Sequence, residues 1–432
     1  MPPFLPTAPY RGTRDFLPEE MSVRTQVFSR LYETIETFGF QRYDGPVLEP
    51  VEIYEAKSGQ ELVERQLYVL TDKADRRLAL RPEMTPSVAR MIAANAGRLS
   101  FPVRWYSHPN CHRYEKPQKG RVREHWQINV DVFGSESVEA EVEIFELIHA
   151  LFRTLGADPA LYEIRVNDRG LAFSALERFV GLAPEQVKPV FQVLDRWEKL
   201  PREVCLEQLA GHGLDDAAAA KVEAFTKLDF PAFVDAAAPE VRGESRVARI
   251  LNEGLLDGPL RFDPLIVRGL DYYTSTVFEV FDVSPENRRS IFGGGRYDNL
   301  TALFSKQRIP GIGFGLGDVT LMDFLETHEL KPAPDVAPDA VVLCAEPSLR
   351  GSMKEVAARL RGAGVKTVTP LEGGGLGKEL KRAAKLGARV AVLVGAEEDA
   401  RGAVIVRDLA RSEQREVAAT DVASEVGSTL AR

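Results

Sequence analysis

The residues with the greatest chemical capacity fall in one stretch, 103–134, which reads VRWYSHPNCHRYEKPQKGRVREHWQINVDVFG. Its loop carries Arg113, Glu115, Gln118, Lys119, Arg121 and Arg123, and the run 124–133 that follows alternates with period two. In a strand, Trp126, Ile128, Val130 and Val132 point one way and His125, Gln127, Asn129 and Asp131 the other. An ordinary half-buried strand with its polar side in water shows the same alternation, so the pattern alone leaves both readings open. A carboxylate and an amide at multiples of two residues, as in Asp131 and Gln127, can recognise a small polar cation. Arginines beside them clamp phosphate or carboxylate with forked hydrogen bonds. Together they suit a site that brings a zwitterionic metabolite to a nucleoside triphosphate, and Arg268 adds a further cation to neutralise charge in an in-line displacement.

The nucleotide must be held without the usual loops, because neither GxxxxGK[ST] nor a GxGxxG between strand and helix is present. A different bed is available at 310–317, where Gly311, Gly313, Gly315 and Gly317 alternate with Ile312, Phe314 and Leu316. In a strand every glycine falls on one face, which lets a purine or another stretch of backbone approach closely. Glu83 stands in Arg81-Pro82-Glu83-Met84-Thr85, between an expected hairpin and a helix that Thr85 is expected to cap, and such junctions commonly face a site. His108, His112 and His125 are poorly spaced for a metal and lack a cysteine pair, so no protein-held metal is expected.

Among the elements that must place these residues, the sequence predicts a helix over 17–40, a strand over 41–47, a hairpin over 67–80 and helices over 86–96 and 136–155. Strands follow at 161–166 and 276–281. The chain of 432 residues is too long for one core, and its 44% hydrophobic and 28% charged residues are those of an ordinary folded protein. We divide it into a catalytic core in two parts, 1–168 and 261–330, an inserted helical domain at 169–260, a proline-rich linker at 331–338, and an α/β domain at 339–432. In that last domain a helix over 376–386 gathers Lys378, Lys381, Arg382 and Lys385, either as a solvated face or as a patch for RNA. The net charge of −9 decides nothing, since phosphate contacts depend on local charge. Three scattered cysteines and the absence of an apolar leader or membrane span lead us to expect a cytoplasmic protein with reduced thiols.

RGTRDFLPEE, LALRPEMT, HRYEKPQKGRVREHWQ, VRGLDYYTSTVFE and GGGRYDNL, in this order, resemble the histidyl-tRNA synthetases, class II aminoacyl-tRNA synthetases. GLGKELKRAAKLGARVAVLVG is similar to that family's anticodon-binding domain, so the resemblance spans nearly the whole chain. It implies an α+β catalytic domain on a six-stranded antiparallel sheet, a helical insertion, a C-terminal anticodon-binding-like α/β domain, and a homodimer formed through a first motif ending at Pro46. It also implies the reaction, in which histidine and ATP give histidyl-adenylate and the histidyl group passes to the 3′ end of histidine tRNA, with Mg2+ accompanying the ATP. Carried over by position, Glu83, Met84, Thr85, Gln127, Asp131, Tyr272, Tyr273 and Tyr297 would surround histidine. Arg113, Glu115, Arg121, Gly315 and Gly317 would hold ATP, Arg268 and Arg113 would stabilise the reacting phosphate, and Gln118, Lys119 and Arg123 would meet the tRNA. Two positions depart from the family pattern: Asp131 stands where many members have Glu, and Thr320 stands where an arginine usually packs against ATP. The alternative is a synthetase-like paralogue that charges no tRNA, such as the regulatory subunit of ATP phosphoribosyltransferase, a class that resembles the catalytic core alone.

Overall fold

A computed structural model describes residues 4–56, 66–118, 120–254, 256, 258–267, 272–287, 289–372 and 374–432. Arg268 and Lys119, both expected in the site, and the polar segment expected over 57–64 lie outside the described residues. The chain divides into two compact units, one formed by 1–17 and 23–333, the other by 18–22 and 334–432.

The first unit is built on a nine-stranded sheet. Its strands are β1 (Gln41–Arg42), β5 (Val103–Ser107), β6 (Asn110–His112), β7 (Glu124–Phe133), β8 (Tyr162–Asp168), β9 (Leu260–Phe262), β10 (Thr276–Asp282), β11 (Ser290–Arg296) and β12 (Gly311–Gly317). The order is β1-β5-β7-β12-β11-β10-β8-β9, with β6 paired to β7. The run from β5 to β8 is antiparallel throughout, and β1 and β9 join its two edges in parallel. The six-stranded antiparallel sheet expected from the resemblance is therefore the centre of a larger mixed one. A separate three-stranded sheet joins β2 (Leu48–Pro50), β4 (Arg77–Leu80) and β3 (Tyr68–Thr71) in that order.

Helix α1 (Pro18–Thr37) buries Val23, Val27, Phe28, Leu31 and Ile35, the stripe that its periodicity predicts. It packs in one apolar cluster with α3 (Glu139–Thr154) and with Ile128, Val130, Val132, Ile312, Phe314 and Leu316 of the sheet. That cluster covers one face of β7 and β12 and leaves the other for polar residues. Helix α2 (Thr85–Asn95) belongs to a second cluster with Val103, Phe133, Tyr272 and Tyr297.

Local chemistry shifts several expected boundaries. The strand predicted over 41–47 stops at Arg42 and resumes at Leu48, because Pro46 has no N–H and the Gly45 carbonyl accepts from Arg81 Nη1 at 2.8 Å. Thr85 is not a cap: the helix begins on Thr85 itself, with Met84 before it and no side-chain cap bond. The helices from Arg169–Ala175 to Pro239–Glu244 bury a core of their own around Leu171, Val187, Leu209 and Phe225, whereas Arg246–Glu253 packs Val247 and Ile250 into the cluster of the large sheet.

The second unit has a mixed five-stranded sheet, β14-β13-β15-β16-β17. It comprises β13 (Ala340–Cys344), β14 (Thr367–Val368), β15 (Val390–Val394), β16 (Ala403–Asp408) and β17 (Glu413–Ala418). Sequence reasoning missed β17 because its Glu413, Gln414, Arg415 and Glu416 are all exposed, which leaves no apolar alternation to detect.

Candidate active site

On the open face of the large sheet, the register sets each polar side chain of β7 opposite a glycine of β12: Gln127 opposite Gly317, Asn129 opposite Gly315 and Asp131 opposite Gly313. The next strand continues the gap, since Gly293 of β11 pairs with Gly315 and Gly295 with Gly313. Beyond it, Glu279 of β10 stands opposite Gly293. The result is a trough two strands wide, floored by backbone and walled by polar groups. Contact limits a side chain at three of its glycines: a Cβ on Gly315 would lie 2.1 Å from Gln127 Nε2, one on Gly313 2.2 Å from the Val130 carbonyl, and one on Gly295 2.9 Å from the Tyr273 ring.

A pocket of about 190 Å³ opens over this trough, lined by Glu83, Thr85, Arg113, Gln127, Asn129, Tyr272, Tyr273 and Tyr297 with Gly293, Gly313, Phe314 and Gly315. Three tyrosine rings form one side, with centroids 5.0 Å apart for Tyr272 and Tyr273, 5.8 Å for Tyr272 and Tyr297, and 6.3 Å for Tyr273 and Tyr297. The Tyr272 hydroxyl donates to Glu83 Oε2 at 2.9 Å. Glu83 is 2% exposed, and Tyr272 and Tyr273 are pushed well up by burial and by that carboxylate, so both remain neutral donors. The Glu83 turn is fixed from behind by Arg81, which donates to the Asn110 carbonyl at 2.9 Å and pairs with Asp44 at 3.0 Å.

Of the residues expected around this pocket, Met84 and Asp131 do not line it. Met84 is fully buried behind it. Asp131 lies one layer down, where its Oδ1 accepts from the Tyr297 hydroxyl and its Oδ2 has no hydrogen-bond partner among the described residues. Burial pushes this carboxyl up to about 7, against the stabilising donation from Tyr297.

A second cavity of about 1220 Å³ meets the pocket at Arg113, Tyr273 and Gly293, which line both. Arg113, Glu115, Gln118 and Arg121 line it from the loop and Gly317, Asp318 and Thr320 from the end of β12 and the start of α4 (Asp318–Thr327). The Arg113 Nε donates to the Pro82 carbonyl at 3.0 Å, and Arg121 pairs with Glu115 at 3.5 Å. Gly315 lies in the small pocket and Gly317 in the large cavity. His125 also lines the cavity, held neutral because burial, then Arg113 and Arg14, push it down to about 3. Thr320 does not reach across: its hydroxyl donates to the Ile291 carbonyl at 2.5 Å. The nearby Arg289 does line the cavity, with Nη1 3.7 Å from where a Cβ on Gly120 would stand. Arg123 is half-buried and donates to the Tyr10 hydroxyl at 2.6 Å and the Glu115 carbonyl at 3.0 Å. Among the described residues no group of three or more His, Cys, Asp or Glu side chains is placed to hold a metal ion.

The histidyl-tRNA synthetase family model matches residues 12–320, nearly three quarters of the chain. The chain belongs to the histidyl-tRNA synthetase family. An anticodon binding domain model matches residues 339–429. Among relatives, the chain is 38% identical over 419 residues to the "Histidine--tRNA ligase" of Leptospira biflexa, covering 95% of each protein. It is 35% identical to the protein of the same name from Pyrococcus abyssi, covering 97% of this chain and 98% of that one. The solved histidyl-tRNA synthetase from Nostoc sp. PCC 7120 superposes with a TM-score of 0.78 at 25% identity, over 98% of this chain and all of that one.

Within this synthetase fold, sequence reasoning passed over the residues that position Tyr297. Arg296 is fully buried, with Nε and Nη2 donating to Glu141 Oε1 and Oε2 at 2.6 Å each, and Nη1 to the Ser135 carbonyl at 2.9 Å. Asp298 accepts from Arg296 at 3.3 Å and from the Thr274 hydroxyl at 3.1 Å, which ties the strand end after Tyr297 to the segment after Tyr273. The adjacency of Arg296 and Asp298 was visible, but their partner Glu141 is 155 residues from Arg296 and looks like any exposed helical glutamate in sequence.

Proposed function

We propose that the chain is a histidine–tRNA ligase that activates histidine with ATP and transfers the histidyl group to the 3′ end of histidine tRNA. The observation that carries this reading is the meeting of a small, acid-and-tyrosine-lined pocket with a large arginine-lined cavity at Arg113, Tyr273 and Gly293, in a chain of this family. The pocket suits an amino acid with a polar ring. Glu83, with Thr85 and Gln127, takes the ammonium group, and Tyr297 backed by Asp131 reads the imidazole. Tyr272 and Tyr273 close the sides, and Met84 packs behind the Glu83 turn.

ATP occupies the cavity, its purine along Gly317 and its phosphates near Arg113, Glu115 and Arg121, while Gly315, also expected to hold ATP, lines the adjoining pocket. The carboxylate oxygen of histidine attacks the α-phosphorus, the bond to the bridging oxygen breaks, and pyrophosphate leaves. Arg113 stabilises the charge that develops on the α-phosphate. Arg268 is proposed to share that task from sequence position alone. Arg289 supplies the cation that Thr320 does not. The terminal ribose hydroxyl of the tRNA then attacks the histidyl carbonyl, releasing AMP, with Gln118 and Lys119 meeting the acceptor end. Mg2+, expected to accompany ATP, would be held mainly by the nucleotide's phosphates and would offset their charge.

The division into core, insertion, linker and anticodon-binding-like domain at the boundaries given above is part of the same proposal, as is a cytoplasmic location. No helix among the described residues is long and apolar enough to cross a membrane. A homodimer is supported by Val47, Leu48, Val69 and Leu70, apolar yet 41–47% exposed on and beside the three-stranded sheet. The anticodon-binding match favours the ligase over the regulatory-subunit alternative, and the deciding experiment is charging of a histidine tRNA transcript. Formation of histidyl-tRNA supports the ligase; adenylate formation without charging supports a paralogue that makes adenylate for another acceptor, and neither product supports the regulatory subunit.

A further inference from the structure

The nucleotide loop poses a mechanical problem. It must hold Arg113, Glu115 and Arg121 in fixed geometry on a segment outside the regular strands, whose described part is tied by a bridge between Gln118 and Arg121 and by the Arg113 and Tyr114 N–H groups donating to the Arg123 and Gln66 carbonyls. Forked recognition of phosphate fails when its arginines wander by an ångström, so something outside the loop must hold it.

The N-terminal residues 10–16 are in contact with it. The Arg123 N–H donates to the Gly12 carbonyl at 2.7 Å, and the Glu124 N–H to the same oxygen at 3.3 Å. The Arg123 guanidinium donates to the Tyr10 hydroxyl at 2.6 Å and to the Arg11 carbonyl at 3.3 Å. It also lies over two aromatic rings, 5.1 Å from the Tyr10 centroid and 4.8 Å from that of Tyr114. Gly12 has φ +90°, and a Cβ there would lie 2.9 Å from both Arg123 Cγ and Pro117 Cγ, so only glycine lets the two segments close together.

The same segment reaches the opposite wall of the cavity. Arg14 Nη2 donates to Asp318 Oδ2 at 2.9 Å, and Arg24 Nη1 to the same oxygen at 2.6 Å. Asp318 Oδ1 accepts from the Trp126 N–H at 3.1 Å. Asp318 directly follows Gly317 and is fully buried. Residues 10–16 thus span from the loop to the end of the glycine strand, the two walls between which the nucleotide is proposed to lie.

We propose that Tyr10–Phe16 is a brace for the nucleotide loop, and that Arg123 is a positioning residue held by this brace, not a contact for the tRNA acceptor end. This rests on the ligase reading above. The argument is one of capacity: a guanidinium whose Nε and Nη1 are committed to Glu115, Arg11 and Tyr10, with two tyrosine rings against it, is poorly placed to fork onto an RNA phosphate.

The full-length protein and its Tyr10→Ala, Tyr10→Phe and Arg123→Ala variants, with a Tyr10→Ala/Arg123→Ala double variant, test it. Two readouts apply: steady-state kinetics, and deuterium uptake by the amides of 113–124, which needs no activity. Tyr10 is 56% exposed, so its replacement leaves the fold intact, and an unchanged melting temperature checks this. The brace predicts faster deuterium uptake in both alanine variants, a KM for ATP raised about tenfold, unchanged KM for histidine and tRNA, and a double variant no worse than either single one. Tyr10→Phe falls between. A raised KM for tRNA with normal ATP kinetics in Arg123→Ala, or unchanged deuterium uptake in Tyr10→Ala, overturns the brace. A wild-type protein that forms no adenylate contradicts the ligase reading instead, and the deuterium measurement still decides the brace.

Discussion

In the proposed site, Glu83 is the residue on which amino-acid binding should most depend, because a buried carboxylate beside a tyrosine hydroxyl is a strong acceptor for an ammonium group. Glu83→Gln keeps the shape and removes the charge. It is expected to weaken histidine binding by about 1.5–3 kcal/mol, roughly ten- to a hundredfold in Kd by calorimetry, with little change in melting temperature. Asp131 gives a pH signature. Its folded-state carboxyl sits near 7 and its unfolded one near the ordinary aspartate value, so between about pH 4 and pH 7 the folded chain keeps a proton that the unfolded chain has lost. Its contribution to stability is therefore fully present below that window and is lost as pH rises through it, by at most about 1.4 kcal/mol for each pH unit crossed. Asp131→Asn should flatten this slope, read as the change in urea midpoint between pH 5 and pH 7.5; an unchanged slope would show that Asp131 is ionised in the folded protein. Arg289→Ala should raise the KM for ATP several-fold and leave histidine binding alone, as expected if it stands in for the arginine missing at Thr320.

At the scale of elements, the glycine trough makes two substitutions of the same size behave differently. Gly313→Ala meets the Val130 backbone carbonyl, which cannot yield without breaking the β7–β12 ladder, and should destabilise by about 1–3 kcal/mol or more in denaturant unfolding. Gly315→Ala meets the end of the Gln127 side chain, which can rotate away, so it should lose histidine affinity with a smaller stability cost. The trough was largely legible in sequence: the alternation of 124–133 gave both the strand and its polar face, and the alternating glycines gave their shared side. What could not be read was why the glycines are there, since that depends on the register that sets Gln127, Asn129 and Asp131 opposite them. The placement of Asp131 behind Tyr297, the Glu141–Arg296 pair and the Gly12–Arg123 contact were equally hidden, because each joins residues distant in sequence through contacts that periodicity does not encode. Thr85 misled for a local reason, as a good capping residue that the helix takes as its first turn while its hydroxyl faces Tyr272.

For the whole molecule, the two units divide the work in a way the activities can separate. In the second unit, Lys378, Lys381, Arg382 and Lys385 are all exposed on helix α5 (Leu376–Lys385), and its apolar side, with Leu376, Leu380 and Ala383, packs with β13 residues Val341 and Leu343. Replacing the four basic residues by alanine should weaken tRNA binding and flatten its salt dependence while leaving adenylate formation unchanged, because the pocket and cavity proposed for the amino acid and ATP lie wholly in the first unit. The two family matches, at 12–320 and 339–429, follow the order of the motifs in the sequence, whereas the homodimer was expected from the resemblance alone, since the exposed Leu48 and Val69 belong to short strands without a strong pattern. The most direct measurement of the central claim is ATP–pyrophosphate exchange with each of the twenty amino acids in turn. Exchange that depends on histidine alone is the predicted result, and no exchange at saturating histidine and ATP would contradict the proposed activity.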